Sequence, residues 1–396
     1  MATKNETIKP IKTPFDNVWQ ELELRHAWQI KVTGYNNPEP VISRFPFVWS
    51  DYDNQFAVAF RDKYRLNEVV AGAADDWEAF LRLRHWVFIN MVNHTEASLP
   101  LIEPFTALDP DTLVAASHVG GTFWCSFFSM VMVAAASAVG LPARKLTVDS
   151  EHTADEKSTH HGVVDVWTNR FRKWAYMDPN YDHHYELDGI PQSTEEIATL
   201  WIKKRGRGLK AMIGPECRHM PRARAAKRGL PEACGCFWHQ IELRNDIFRR
   251  DGHGSPSLAL LPVDEVRQKQ RWMQGSPPDT FEKPGYENGM LHLTTQMNEA
   301  YPSLDDAVIK ILPPHKMPYY CRVQFYSPCS PYFSHYEISV DGGTPIRMDG
   351  HEYPWRLHTG ICTFEVRTVS HGGWRGAPFT IRLNIRNKAG VKPKWP

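Results

Sequence analysis

Residues 123–140, FWCSFFSMVMVAAASAVG, run for eighteen positions without a charge. That length is at the lower limit for crossing a bilayer. Gly120-Gly121 precede the run, three serines and several alanines dilute it, and Gly140-Leu141-Pro142 ends it. A helix that is apolar on every side has to be wrapped by other elements of a soluble fold. The pattern predicts a buried central helix over about residues 124–139, with Gly140 as its stop and Pro142 blocking continuation. The rest of the chain must supply the coat.

There is enough chain to do so. The 396 residues allow two or three domains at roughly 100–200 residues each. Hydrophobic residues at 42% and charged residues at 23% exclude a disordered chain. Lys+Arg 46 against Asp+Glu 45 leaves a formal charge of +1, so no global field calls for a nucleic-acid or membrane partner. The 14 Trp are read as core, since large rings dominate core energetics, and the 30 Pro predict loops and sheet edges. Seven cysteines are too sparse for a disulfide scaffold, and their odd number leaves at least one thiol free. The N-terminus, MATKNETIKPIKTP, carries no apolar signal core, so a cytoplasmic location is expected.

Along the chain, residues 1–60 read as an arm packing on the core and 61–250 as the main α+β domain. Residues 251–310 read as a Gly/Pro/Ser-rich linker and 311–396 as a small β-sandwich. Within the main domain, Trp77, Phe80, Leu81, Trp86 and Val87 form one stripe of a helix over 75–95, with Arg82 and Arg84 off it. Residues 145–149 suggest a short strand. HGVVDVW (161–167) and KWAYMD (173–178) alternate as the arms of a hairpin, with Asn169 the best turn former. The C-terminal strands are expected in YYCRVQFYS, HYEISVDGG, TFEVRTVSH and FTIRLNIRN.

Three residues carry the chemistry: Cys125, His161 and Asp178. A cysteine on the first turn of a helix feels the positive end of the macrodipole, which favours thiolate. A turn centred between Asn169 and Arg170 pairs residues whose numbers sum to 339, setting His161 opposite Asp178 and Asp165 opposite Trp174. A carboxylate there would fix the imidazole tautomer and leave the other ring nitrogen for the thiol. The plainer readings are an inert buried cysteine and a surface ion pair. His160 precedes His161, and strand alternation selects His161.

These blocks resemble the transglutaminase-like superfamily of cysteine enzymes. Cys125 opens a buried helix ending in Gly140-Leu141-Pro142-Ala143-Arg144. His161 begins the run His161-Gly162-Val163-Val164-Asp165-Val166, and Trp174 lies four residues before Asp178-Pro179. The similarity covers about residues 75–190. It implies a papain-like core, a helix carrying Cys125 packed on an antiparallel sheet, and a Cys125-His161-Asp178 triad. It further implies attack on an amide of a peptide, a glutamine side chain or a glycopeptide through a thioacyl intermediate. No cofactor is implied. Gly162 and Val163 depart from the usual Ala-Trp after the histidine.

Substrate contacts are expected from Trp124, His160, Trp174 and His183. No metal is expected; a structural zinc would draw on Cys217, His219, Cys234, Cys236 and His239, whose spacing is unusual for such a site. The basic segment 203–228 reads as a solvated face, or as a rim for an acidic glycan or peptide. Two further functions remain open: a lyase-like enzyme on an anionic glycan, and an inactive binding scaffold.

Overall fold

The computed structural model describes residues 11–37, 39–93, 109–149, 160–215, 238–248, 259–262, 291–313 and 319–390. The chain is mixed α/β with several antiparallel sheets, and it divides into two compact units, Val41–Pro302 and Met1–Pro40 with Ser303–Pro396. Among the described residues no helix is long and apolar enough to cross a membrane.

In the Val41–Pro302 unit the uncharged run forms the helix Cys125–Ala138, and its residues from Val131 to Ala138 are all buried. Gly140 follows with φ 75°, a left-handed position that glycine takes without steric cost. The Leu141 N–H then reaches back 2.9 Å to the Ala136 carbonyl, closing the helix end. The helix packs on the strands Ala143–Asp149 and His160–Thr168, and on the helices Gln55–Lys63, Asp76–Asn90 and Pro110–His118. Those two strands sit inside a six-stranded sheet. Its order is Leu291–Thr294, Ala259–Pro262, Trp238–Glu242, Ala143–Asp149, His160–Thr168, Lys173–Met177, with only the first pair parallel. A smaller sheet of Ile190–Pro191, His183–Leu187 and Lys210–Ile213 adjoins its Lys173–Met177 edge, where the Tyr176 N–H donates to the Gln192 carbonyl at 2.8 Å.

The helix expected over 75–95 runs Asp76–Asn90, with the Asp75 side chain accepting from the Glu78 N–H. Arg84 departs from its expected solvent side: it is buried, with Nε 2.7 Å from the equally buried Asp182 Oδ1. A paired guanidinium can enter a core that would exclude a lone one.

The hairpin expected around Asn169-Arg170 has a longer loop. Trp167 pairs with Trp174 and Asp165 with Tyr176, so partner numbers sum to 341, two more than expected. Asp76 is the cause. Its carboxylate accepts from the backbone N–H groups of Asn169 and Arg170 and from the Thr168 hydroxyl, widening the turn to residues 169–172. Burial raises the Asp76 pKa to about 6, although those bonds oppose it. A slip of two residues keeps every side chain on its face, whereas a slip of one would have reversed them all.

Behind the sheet lies a fully buried cation. Arg144 reaches the Ala300 carbonyl at 2.5 Å and Asp165 at 3.3 Å, with its guanidinium 3.9 Å from the Trp174 ring centre and 4.6 Å from that of Tyr301. Asp165 also accepts from the Thr194 hydroxyl at 2.7 Å.

The other unit contains a five-stranded antiparallel sheet, in order Trp28–Asn36, Phe379–Asn387, Gly360–Ser370, Phe333–Val340, Ile346–Met348. A second sheet has Val308–Leu312, Tyr320–Tyr326 and Glu352–Arg356. Val323, Ile338, Trp355, Phe364 and Leu383 from both sheets, with Trp19 and Leu22 of the helix Asp16–His26, belong to one core. Burying each aliphatic or aromatic side chain of this kind contributes about 1.5–3 kcal/mol.

The expected boundaries move accordingly. The N-terminal arm 1–60 divides at residue 40. Its alternating Trp28-Ile30-Val32 stretch forms a strand paired with Phe379–Asn387, because an open sheet edge is satisfied by any strand of suitable pattern. The expected linker 251–310 contributes strands 259–262 and 291–294 to the six-stranded sheet, and its last residues start the strand Val308–Leu312.

Replacing Arg144 with Met should cost about 3–5 kcal/mol in urea unfolding, since Asp165 would be left as an uncompensated buried charge.

Candidate active site

Cys125 is the first helical residue, preceded by Trp124 in extended conformation and with no side chain capping the helix. The segment leading to it is fixed by Phe123, whose N–H donates to the Val92 carbonyl at 2.8 Å. The sulfur is therefore held at the positive helix terminus, where thiolate is favoured.

His161 comes from the neighbouring strand. The Gly162 N–H donates to Cys125 Sγ at 3.1 Å. A Cβ at Gly162 would lie 2.8 Å from the Ser126 Cα and 2.9 Å from its nitrogen. Backbone must approach backbone there, so glycine is demanded by space. The departure from the usual alanine noted in the sequence thus sets how near the strand comes to the sulfur.

His161 Nε2 is 2.7 Å from Asp178 Oδ2, and the ring is also hydrogen-bonded to the thiol. With Nε2 committed to the acid, Nδ1 serves the sulfur. Tyr181 stacks on the imidazole, ring centres 5.3 Å apart and planes at 19°. Asp178 is wholly buried. Its Oδ1 accepts from the N–H groups of Asn180 at 2.8 Å and Tyr181 at 3.1 Å, an Asx-type turn that aims Oδ2 at the histidine. Asn180 in turn accepts a hydrogen bond from the Asn93 side chain, tying the acid's turn to the segment next to Phe123.

The electrostatics agree. Burial works against the Cys125 thiolate, but the His161 hydrogen bond and charge and the Gly162 N–H outweigh it, and the thiol titrates below its ordinary value. Burial likewise opposes the Asp178 carboxylate; His161, by charge and hydrogen bond, holds it below the usual carboxylate range.

The expected site residues fare differently. Cys125, His161 and Asp178 converge, though Asp178 is diagonal to His161 and lies just past its strand, paired with His183. Trp124 is 47% exposed beside the cysteine. His160 opens its strand opposite Asp149, and its side chain lies outside the described residues. Trp174 is 2% exposed, donates to the Pro302 carbonyl at 2.8 Å and carries Arg144 on its ring; it is a core residue. His183, expected to meet substrate or line a wet loop, is fully buried 3.8 Å behind Asp178 Oδ2. Its neighbour His184 is buried as well, against Arg84 at 2.7 Å. Cys217, His219, Cys234 and Cys236 lie outside the described residues. His239 is buried beside Tyr301 and Glu195, at 3.2 and 3.4 Å.

Sequence reasoning missed the Arg84–Asp182–His85 cluster under the acid's turn, with Asp182 oxygens 2.7 Å from both partners. Its signals were present, an Arg-His pair in the helix and a second aspartate after Asp178-Pro179-Asn180-Tyr181. Only the tertiary fold joins them.

No family model matches the chain, and no curated protein matches it. Among solved structures, red sea bream transglutaminase aligns over 93% of this chain and 78% of its own, with 10% identity and a TM-score of 0.22. An overlap that slight carries neither a fold nor an activity from one chain to the other.

Two outcomes follow from this geometry. Gly162→Ala should force strand and helix apart, cost about 1–3 kcal/mol of stability, and slow thiol alkylation at neutral pH, read by denaturation and by iodoacetamide kinetics. Burial lowers the His183 pKa to about 4 from 6.5. Between those values the unfolded chain binds a proton that the folded chain does not, so His183 makes stability fall as pH falls through that window. The loss amounts to roughly 3 kcal/mol at its acid end. His183→Phe should flatten that limb in urea unfolding followed from pH 7 to pH 4.

Proposed function

We propose that the protein is a cysteine enzyme that takes an acyl group from an amide through a thioacyl intermediate. The observation that carries this is the unbroken chain from Cys125 Sγ through the His161 ring to the buried carboxylate of Asp178. The order of elements, a cysteine-bearing helix, a strand, a histidine strand and then the acid, supports a transglutaminase-like core for the Val41–Pro302 unit. The shared core of the two other sheets supports a β-sandwich reading of their unit.

Cys125 Sγ attacks the carbonyl carbon. The oxyanion develops at the helix start, where backbone N–H groups such as that of Cys125 stabilise it. His161 passes its proton from Nδ1 to the departing nitrogen as the C–N bond breaks, and Asp178 holds the imidazolium through Nε2. Water then releases an acid, or an amine receives the acyl group. The exposed indole of Trp124 is a natural wall for the substrate chain. The reaction so written needs no cofactor, and a peptide, glutamine carboxamide or glycopeptide each offers the required amide.

Iodoacetamide labelling across pH tests the reading. The wild type should label fast below the pH of an ordinary thiol. Cys125→Ala should lose that fast phase, and His161→Ala should shift it to higher pH by removing the hydrogen bond and charge that depress the thiol. Identical profiles for wild type and His161→Ala would refute an activated cysteine.

A further inference from the structure

A second cluster of chemistry-bearing side chains lies in the unit of Ser303–Pro396, independent of the cysteine site. Asp341 sits in the turn after the strand Phe333–Val340, with φ 52° and its N–H bonded to the Thr363 carbonyl at 2.8 Å. His358 lies two residues before the strand Gly360–Ser370, and Cys362 is inside that strand. One ligand atom from each of the three lies within 4.8 Å of the others.

The hydrogen bonds orient the three side chains toward one another. His358 Nδ1 is 2.9 Å from the Thr359 carbonyl oxygen, which only accepts, so Nδ1 carries the hydrogen. A neutral ring then turns the lone pair of Nε2 toward Asp341 Oδ2, 3.1 Å away. A proton on Nε2 joins the pair as a hydrogen bond, and a metal cation could take that proton's place. An imidazole whose other nitrogen is held by a backbone carbonyl is the usual form of a histidine metal ligand. The His358 backbone N–H donates to Cys362 Sγ at 3.3 Å; burial pushes this thiol up despite that bond, so a cation would have to displace its proton. Asp341 is steadied by the Thr363 N–H on its Oδ1 at 2.7 Å, leaving Oδ2 to face the histidine.

We propose that Asp341, His358 and Cys362 form a binding site for a thiophilic divalent cation, zinc being the best match. Thiolate, imidazole and carboxylate are its three usual ligand types, and water would complete a tetrahedron. Ligand atoms in such a site stand roughly 3.5 Å apart, so closure needs side-chain movements of about 1 Å. On binding, the His358 Nε2–H bond that joins it to Asp341 and the Cys362 S–H bond both break, the Nε2 proton leaving to solvent. The thiol proton, now donated to the His358 carbonyl at 3.2 Å, leaves to solvent as well. Cys362 is buried while Asp341 and His358 are exposed, so the ion would enter from solvent and seat against the sulfur. The site would pin the Asp341 turn to the start of the neighbouring strand.

The test is titration of the full chain, stripped with chelator, with zinc chloride alone, by calorimetry and metal analysis. Cobalt chloride in a parallel experiment reports sulfur ligation as a charge-transfer band. The wild type should take up one equivalent that His358→Ala and Cys362→Ser each lose, and Asp341→Asn should bind at least about tenfold more weakly. The cobalt band should vanish in Cys362→Ser. Because Cys362 is a core residue, circular dichroism checks its variant, and the exposed His358 and Asp341 variants decide the matter if it fails to fold. Wild-type protein that takes up no zinc would overturn the site. So would an equivalent retained in folded His358→Ala and Asp341→Asn, and the gap between Nε2 and Oδ2 would then hold only a proton.

Discussion

The geometry of the cysteine site depends on one close approach, that of the Gly162 backbone to the first turn of the Cys125 helix. With no side chain between them, the strand comes near enough for its N–H to touch the sulfur, and the residue before it, His161, is delivered to the thiol by the same contact. The approach is firm because both partners are embedded. The helix is buried along nearly its whole length, and the strand is flanked by neighbours on both sides in the sheet. A reactive group needs such a frame, since its burial alone would push the thiol toward the neutral form.

The acid is held by a different device. Asp178 lies outside the ladder of its strand and relies on a short turn in which its own carboxylate collects two backbone N–H groups. Beneath that turn Asp182 pairs with Arg84 and His85, while His183 closes the turn on the far side. The central helix, the sheet and this turn each contribute one member of the constellation, and the helix Asp76–Asn90 supports the third through Arg84.

Much of this could be read from the residues alone, and for identifiable reasons. The uncharged run 123–140 leaves a helix no solvent face, so its burial and its Gly140 terminus follow. Alternation in 161–167 and 173–177 marks strands, and its parity alone places His161 and Asp178 on one face. What parity cannot supply is the loop length. That was decided by Asp76, more than ninety residues earlier, which has no local signal pointing to residues 168–170. Trp174 and His183 were misplaced because an aromatic or imidazole near a reactive group reads the same whether it faces the cleft or the core. Arg84 was misplaced because a lone arginine in a helix is ordinarily solvated, and its partner arrives only with the fold. The N-terminal strand reads in the sequence only as part of an arm; Trp28, Ile30 and Val32 do alternate, but nothing local tells a strand which sheet it will join.

That last pairing has a consequence for biosynthesis. Trp28–Asn36 finds its partner in Phe379–Asn387, so the Val41–Pro302 unit is an insertion between two segments that complete one another. As the chain leaves the ribosome, the strand Trp28–Asn36 waits unpaired until Phe379–Asn387 emerges, more than three hundred residues later. Throughout that interval its edge is open to pairing with other strands.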